Sequence, residues 1–228
     1  MPNALLTGAS RGLGLALARA LAGRGWRIAI DARGAEELER AAREIGRVAE
    51  VVALAGDVAD GAHREALVAA AGEPIDLLVN NASILGPSPQ PTLERYPLAE
   101  LERVYRINVL APLALAQLAL PRIRPGGAIL NLTSDAAVES YPGWGGYGSA
   151  KAALERLTAV LAAERPELRV YAVDPGDMRT RMHQEAFPGE DISDRPPPEA
   201  SVPGLLALIE GRRESGRYRA VDLTQVAA

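Results

Sequence analysis

The sequence predicts a single α/β domain: a doubly wound parallel sheet of about seven strands with helices on both faces. Three observations carry this expectation. Short apolar runs alternate with longer helix-patterned stretches along the whole chain. Several of those runs are apolar on both faces, as strands buried inside a parallel sheet must be. The first run ends in a glycine-rich turn that opens directly into a helical pattern. Such alternation implies right-handed crossovers, which lay successive strands parallel and cover the sheet with helices. No repeat and no linker marks a second domain in the 228 residues, a length that buries one proper core.

In chain order, strands are expected at residues 4–7, 27–31, 51–55, 76–79, 128–133, 169–173 and 217–221. Helices are expected near 13–23, 35–45, 61–71, 98–122, 148–164 and 199–211, where apolar residues recur at helical spacing. The least regular segments are 83–97 and 177–198, both rich in proline and polar residues. Ligands of open parallel sheets bind beyond the carboxyl ends of the strands. Irregular segments leaving those ends are therefore lid candidates, and 177–198 is the expected substrate lid.

Composition narrows the function. The net charge is −4 and no basic block occurs, so neither nucleic acid nor an anionic membrane surface is an expected partner. With no cysteine, disulfides, thiolate catalysis and cysteine zinc sites are excluded. His63 and His183 lie far apart and form no metal-ligand pattern, so no metal is expected; both are read as surface or lid residues. No signal peptide precedes Leu5, and no apolar run reaches the ~20 residues of a membrane span. A soluble cytoplasmic protein is the expectation.

The first turn reads Thr7-Gly8-Ala9-Ser10-Arg11-Gly12-Leu13-Gly14. Gly8 permits a tight turn, Gly12 lets backbone amides approach a diphosphate, and Gly14 lets the helix pack close to the sheet. The helix then presents free N–H groups and its positive dipole end to the anion. Between a first strand and a first helix, this pattern points to a dinucleotide. The second strand, ending Asp31-Ala32-Arg33, bears on which one. A carboxylate at this strand's end holds a ribose 2′-hydroxyl, whereas arginine accommodates a 2′-phosphate. Asp31 falls one residue early, and Arg33 and Arg11 can both reach the phosphate. NADP(H) is therefore preferred, with NAD(H) possible. After the third strand, Asp57 either accepts from an adenine amino group or closes a polar turn, with Val58 beside it. After the fourth, Asn80-Asn81-Ala82-Ser83 either ties neighbouring strands together and lines the cleft or is simply a polar strand end.

Lys151 is the only lysine among the 25 lysines and arginines. Its survival suggests a site that needs a compact ammonium rather than a guanidinium. Tyr147 precedes it by one helical turn, on the same face. An ammonium beside a phenol favours the phenolate and should bring a pKa of ~10 closer to neutral. Tyr147 is thus a candidate general acid/base.

Together with Asn108, Ser134 and Pro175-Gly176, these motifs make the chain resemble the short-chain dehydrogenase/reductase family, nearly end to end. The resemblance implies a Rossmann fold and an NAD(P)-dependent oxidoreductase. Tyr147 would be the acid/base, and Lys151 would lower its pKa and hold the nicotinamide ribose. Ser134 would bind the substrate carbonyl, and Asn108 would anchor a water that links Lys151 to solvent. The implied cofactor contacts are Gly8, Ser10, Arg11, Gly12, Leu13, Gly14, Arg33, Asp57, Val58, Asn80, Ala82, Tyr147, Lys151, Pro175, Gly176, Met178 and Thr180. The substrate would be a small carbonyl or secondary alcohol, and the assembly a homodimer or homotetramer. Two departures stand out: Ser83 replaces the usual glycine, and Asp135 follows Ser134, expected to face solvent. Ile84, Tyr141, Trp144, Met182, His183 and Phe187 are expected to border the substrate pocket. A non-catalytic dinucleotide sensor is the rival reading; its usual mark would be a broken tetrad, and here all four positions are filled.

Overall fold

The computed structural model describes residues 1–223. Its strands are β1 (Asn3–Leu6), β2 (Arg27–Ala32), β3 (Val51–Ala55), β4 (Ile75–Asn80), β5 (Ile123–Leu132), β6 (Arg169–Asp174) and β7 (Gly216–Arg219). All are parallel, in one sheet of order β3-β2-β1-β4-β5-β6-β7. The helices are α1 (Gly12–Ala22), α2 (Ala35–Ile45), α3 (Gly61–Ala70), α4 (Leu98–Tyr105), α5 (Ala111–Ala119), α6 (Gly145–Glu164), α7 (Arg181–Ala186), α8 (Val202–Glu210) and α9 (Ala220–Leu223).

The double-sided apolar pattern of the strands explains the two layers. Side chains alternate across a strand, so Leu6 and Val79 face one way, and Leu5 and Leu78 the other. The first set joins α1, α2 and α8 in one core that includes Leu17, Leu38 and Leu205. The second joins α3 and α5 in another, with Leu67, Leu115 and Ala116. Each large side chain so buried stabilises the fold by about 1.5–3 kcal/mol. The strand order reverses at β1, whose neighbours are β2 and β4. The carboxyl ends of β1 and β4 therefore open a cleft between the two halves.

Several expectations need correction. The helix expected over 98–122 is four helical pieces: a π-helical turn at Arg106–Leu110 separates α4 from α5, and a 3₁₀ turn ends the run. By length and mean hydropathy (1.3 over its best window), Leu98–Arg122 passes for a membrane span, contrary to the sequence reading. Half of that window is buried against the rest of the domain. β5 begins at Ile123, not 128, through an irregular stretch where its pairing with β4 shifts register. β7 stops at Arg219 because Ala220 turns into α9. The segment 177–198 is not wholly irregular, since it contains α7, capped by the Thr180 hydroxyl, which accepts from His183 N at 3.3 Å.

Candidate active site

A cavity of about 960 Å³ lies at the carboxyl ends of the strands. Its floor is the glycine turn. Gly8 and Gly12 have φ of +67° and +56°, a region that favours glycine. A Cβ on Gly8 would lie 2.9 Å from Ala82 Cα, and one on Gly14 would lie 2.5 Å from Gly8 O. Only bare backbone lets loop, helix and β4 meet this closely. The first turn of α1 has neither a side-chain cap nor an acidic residue, so its N–H groups stay free for an anion. These features fit a dinucleotide diphosphate. Thr180 closes over the same loop, its methyl 3.6 Å from where a Gly12 Cβ would stand.

Asn81, rather than Asn80, fastens the glycine turn to β4. Its Nδ2 donates to the carbonyls of Thr7 (2.8 Å) and Gly8 (3.0 Å). The Thr7 hydroxyl accepts from Asn81 N and Ala82 N, each at 3.0 Å. Asn80 was expected at the cofactor; instead it is buried and donates to Asn131 Oδ1 at 2.7 Å, off the cavity wall. Period-two alternation puts it inside the sheet while its neighbour faces the cleft. Asn108 also lies off the wall. Its Oδ1 accepts from Ile84 N (2.9 Å) and its Nδ2 donates to Ile84 O (2.8 Å), so both ends of the amide anchor the loop after β4. The π-turn, in which Ala111 N bonds Arg106 O, gives the helix its extra residue here. The other expected contacts border the cavity: Gly8 through Gly14 apart from Ala9, Arg33, Asp57, Val58, Ala82, Ser134, Tyr147, Lys151, Pro175, Gly176, Met178 and Thr180.

At the far end from Arg33, α6 presents Tyr147 and Lys151. Tyr147 is buried, with the hydroxyls of Ser83 and Ser134 against it. Lys151 Nζ donates to Leu132 O at 2.7 Å and stands 5.4 Å from the centre of the Tyr147 ring. The expectation that Lys151 draws the phenol towards neutrality is overturned. Burial raises the Tyr147 pKa, and the carboxylates of Asp174 and Asp135 raise it further, outweighing the two serine hydroxyls. Burial also pushes Lys151 down to about 8, against the pull of Glu155. Desolvation disfavours the charged form of each and is the largest cause of both shifts.

Asp135 is exposed, as expected, and also engaged. Its Oδ1 accepts from Ser134 Oγ at 2.8 Å and its Oδ2 from the Tyr141 hydroxyl at 3.1 Å, and it borders the cavity. Arg217 ties this end together, 2.9 Å from Glu155 and 3.7 Å from Asp174. Leu85, Trp144, Met182 and Ala186 pack around Tyr147, with Trp144 edge-on to its ring at 5.9 Å. Ile84, Trp144, Met182 and His183 border the cavity as expected, whereas Phe187 packs behind Trp144 and Tyr141 lies outside. His63, read as a surface or lid residue, is buried against Asp31 at 3.0 Å. At the other rim Arg11 pairs with Glu37 at 2.9 Å. Sequence reasoning missed Glu37, Asp174 and the His63–Asp31 pair, all of which need the fold to bring them in.

A family model described as short chain dehydrogenase matches residues 2–191. The chain is a short-chain dehydrogenase. This dehydrogenase is 34% identical over 201 residues to 2-(R)-hydroxypropyl-CoM dehydrogenase of Xanthobacter autotrophicus, covering 84% of the chain and 80% of that relative. It is 35% identical over 199 residues to sepiapterin reductase of Mus musculus, covering 80% and 76%. An alcohol dehydrogenase from Thermococcus sibiricus, complexed with 5-hydroxy-NADP, superimposes with a TM-score of 0.86 at 28% identity, over 96% and 95% of the two chains. The dehydrogenase is accordingly an NAD(P)-dependent oxidoreductase with a single Rossmann domain.

Proposed function

We propose that the protein is an NADP(H)-preferring reductase of small carbonyl compounds, with Tyr147 as the proton donor and Lys151, Ser134 and Asn108 as its partners. The observation that carries this reading is the buried Tyr147 hydroxyl, set beside two serine hydroxyls at the end of a dinucleotide-shaped cleft. A dinucleotide held by the glycine turn, Arg33 and Lys151 would supply hydride chemistry at the carbonyl carbon. Negative charge then grows on the carbonyl oxygen, where Tyr147 and Ser134 can donate hydrogen bonds worth roughly 2.7–4 kcal/mol each. Tyr147 gives up its proton to that oxygen. Burial and two nearby carboxylates hold the phenol protonated, the form that donates to a carbonyl oxygen during reduction. The Ser134 hydroxyl donates to Asp135 Oδ1 in the free protein, and a substrate carbonyl must compete for that hydrogen bond.

Preference for NADP(H) is supported by Arg33 at the rim and by Asp31, whose carboxylate is already engaged by Gly8 and His63. The segment 177–198 acts as the substrate lid, with α7 placing Met182 and His183 over the pocket. Copies of the chain are proposed to pair through α4, α5 and α6. A shallow apolar groove between α5 and α6, bordered by Leu113, Leu157 and Leu161, is left uncovered.

Tyr147→Phe tests the chemistry. It removes the proton and keeps the ring, so turnover of a carbonyl with NADPH should fall by about 10²–10⁴-fold, while NADPH binding stays largely intact. Wild-type turnover in this variant would refute the mechanism.

A further inference from the structure

Beneath the end of the cleft that holds Arg33, three elements meet through two ionisable side chains. Asp31, the fifth residue of β2, is 1% exposed. Its Oδ1 accepts from Gly8 N at 2.8 Å, which ties it to the glycine turn. Its Oδ2 faces His63 Nε2, on α3, at 3.0 Å. The imidazole is itself 8% exposed and lies flat against the end of β3. A Cβ on Gly56 would come within 2.2 Å of His63 Nδ1, so residue 56 must be glycine for the ring to fit. Asp31 borders the cavity and His63 does not.

We propose that His63 is a positioning residue for cofactor choice: it clamps the Asp31 carboxylate to the glycine turn and so keeps it from the adenosine ribose. The inference rests on the NADP(H) reading above. A carboxylate at this strand's end can read a ribose 2′-hydroxyl, and Asp31, one residue earlier, borders the same cavity; a free oxygen there would accept from that hydroxyl and repel a 2′-phosphate. Here both of its oxygens are already used, one by a backbone N–H and the other by the imidazole. Removing His63 leaves Oδ2 buried without a donor, which is costly for a charged group. The ribose hydroxyl of bound NADH is a donor within the same cavity, whereas a 2′-phosphate only accepts. His63 thereby converts an acidic strand end, which favours NADH, into one that tolerates NADPH and leaves Arg33 to attract it.

The test is fluorescence titration of NADPH and NADH into the wild type, His63→Ala, His63→Gln, Asp31→Asn and the double variant His63→Ala/Asp31→Asn. His63→Ala should lower the NADPH:NADH affinity ratio by about tenfold. His63→Gln, which keeps a donor, should stay within about threefold of wild type. In the Asp31→Asn background His63→Ala should have little further effect on the ratio, since the coupling runs through the carboxylate. An unchanged ratio in folded His63→Ala, or an equal fall in both backgrounds, overturns the proposal. If His63→Ala does not fold, Asp31→Asn alone decides. A ratio within about threefold of wild type supports the clamp, whereas a tenfold rise shows that the carboxylate already faces the ribose. The wild-type ratio judges the NADP(H) reading by itself, and the change on removing His63 judges the clamp, whichever dinucleotide the wild type prefers.

Discussion

Lys151 should cost the free protein stability in a way that depends on pH. Its side chain is 3% exposed and donates to the Leu132 carbonyl at 2.7 Å. Burial moves its pKa from 10.5 to about 8, while the unfolded chain keeps the ordinary value. Between those two values the unfolded state binds more protons than the folded state, so stability rises with pH. The penalty is complete below pH 8, at about 3 kcal/mol, and vanishes above pH 10.5. At pH 9.5 about 1.4 kcal/mol remains. Lys151→Met fills similar space without charge. It also leaves Leu132 O without its donor, at about 1–3 kcal/mol, but that loss does not vary with pH. The stability of the wild type relative to Lys151→Met should therefore improve by about 2 kcal/mol between pH 7 and pH 9.5. Urea unfolding of both proteins at the two pH values, followed by tryptophan fluorescence, measures this directly. With a slope of about 1–3 kcal/mol/M the relative midpoints move by roughly 1 M. Tyr147 titrates in both proteins and largely cancels. Parallel behaviour of the two proteins across this range would refute the claim that the ammonium is desolvated.

Two further outcomes follow from the site. Alcohol oxidation needs the phenolate, so its kcat/KM should keep climbing through pH 9, and Asp135→Asn, which removes one of the charges opposing the phenolate, should move that limb to lower pH; a limb that does not move would disprove the electrostatic contact. Asn108→Ala strips Ile84 of both backbone partners and should cost about 1–3 kcal/mol in urea unfolding, together with a weaker dinucleotide affinity.

What the sequence disclosed was whatever local pattern can carry. Runs such as Leu77–Leu78–Val79 declare a two-sided strand, and the spacing of Gly8, Gly12 and Gly14 declares the turn before a helix. Tyr147 and Lys151 face one way because one helical turn separates them. The strand ends were less legible, since a register shift in β5 or the start of α9 depends on neighbours remote in sequence. The π-turn at Asn108 was invisible for the same reason: the amide it carries is held by Ile84, 24 positions away. His63 and Asp31 are 32 positions apart and meet only after the β2–α2–β3 crossover. The sign of the Tyr147 shift was misjudged because adjacency is readable from spacing and desolvation is not.

Reversal of strand order at β1 separates two kinds of work along one chain. Gly8, Asp31, Arg33 and Asp57 all come from β1, β2 and β3 or their exits, whereas Ser83, Ser134, Tyr147 and Asp174 come from β4 onward. On the proposed reading, the first stretch chooses between dinucleotides and the second meets the substrate. The two meet across a seam that Asn81 stitches with its side-chain amide. On that reading, dinucleotide choice and substrate choice can be altered by substitutions in different stretches of the chain.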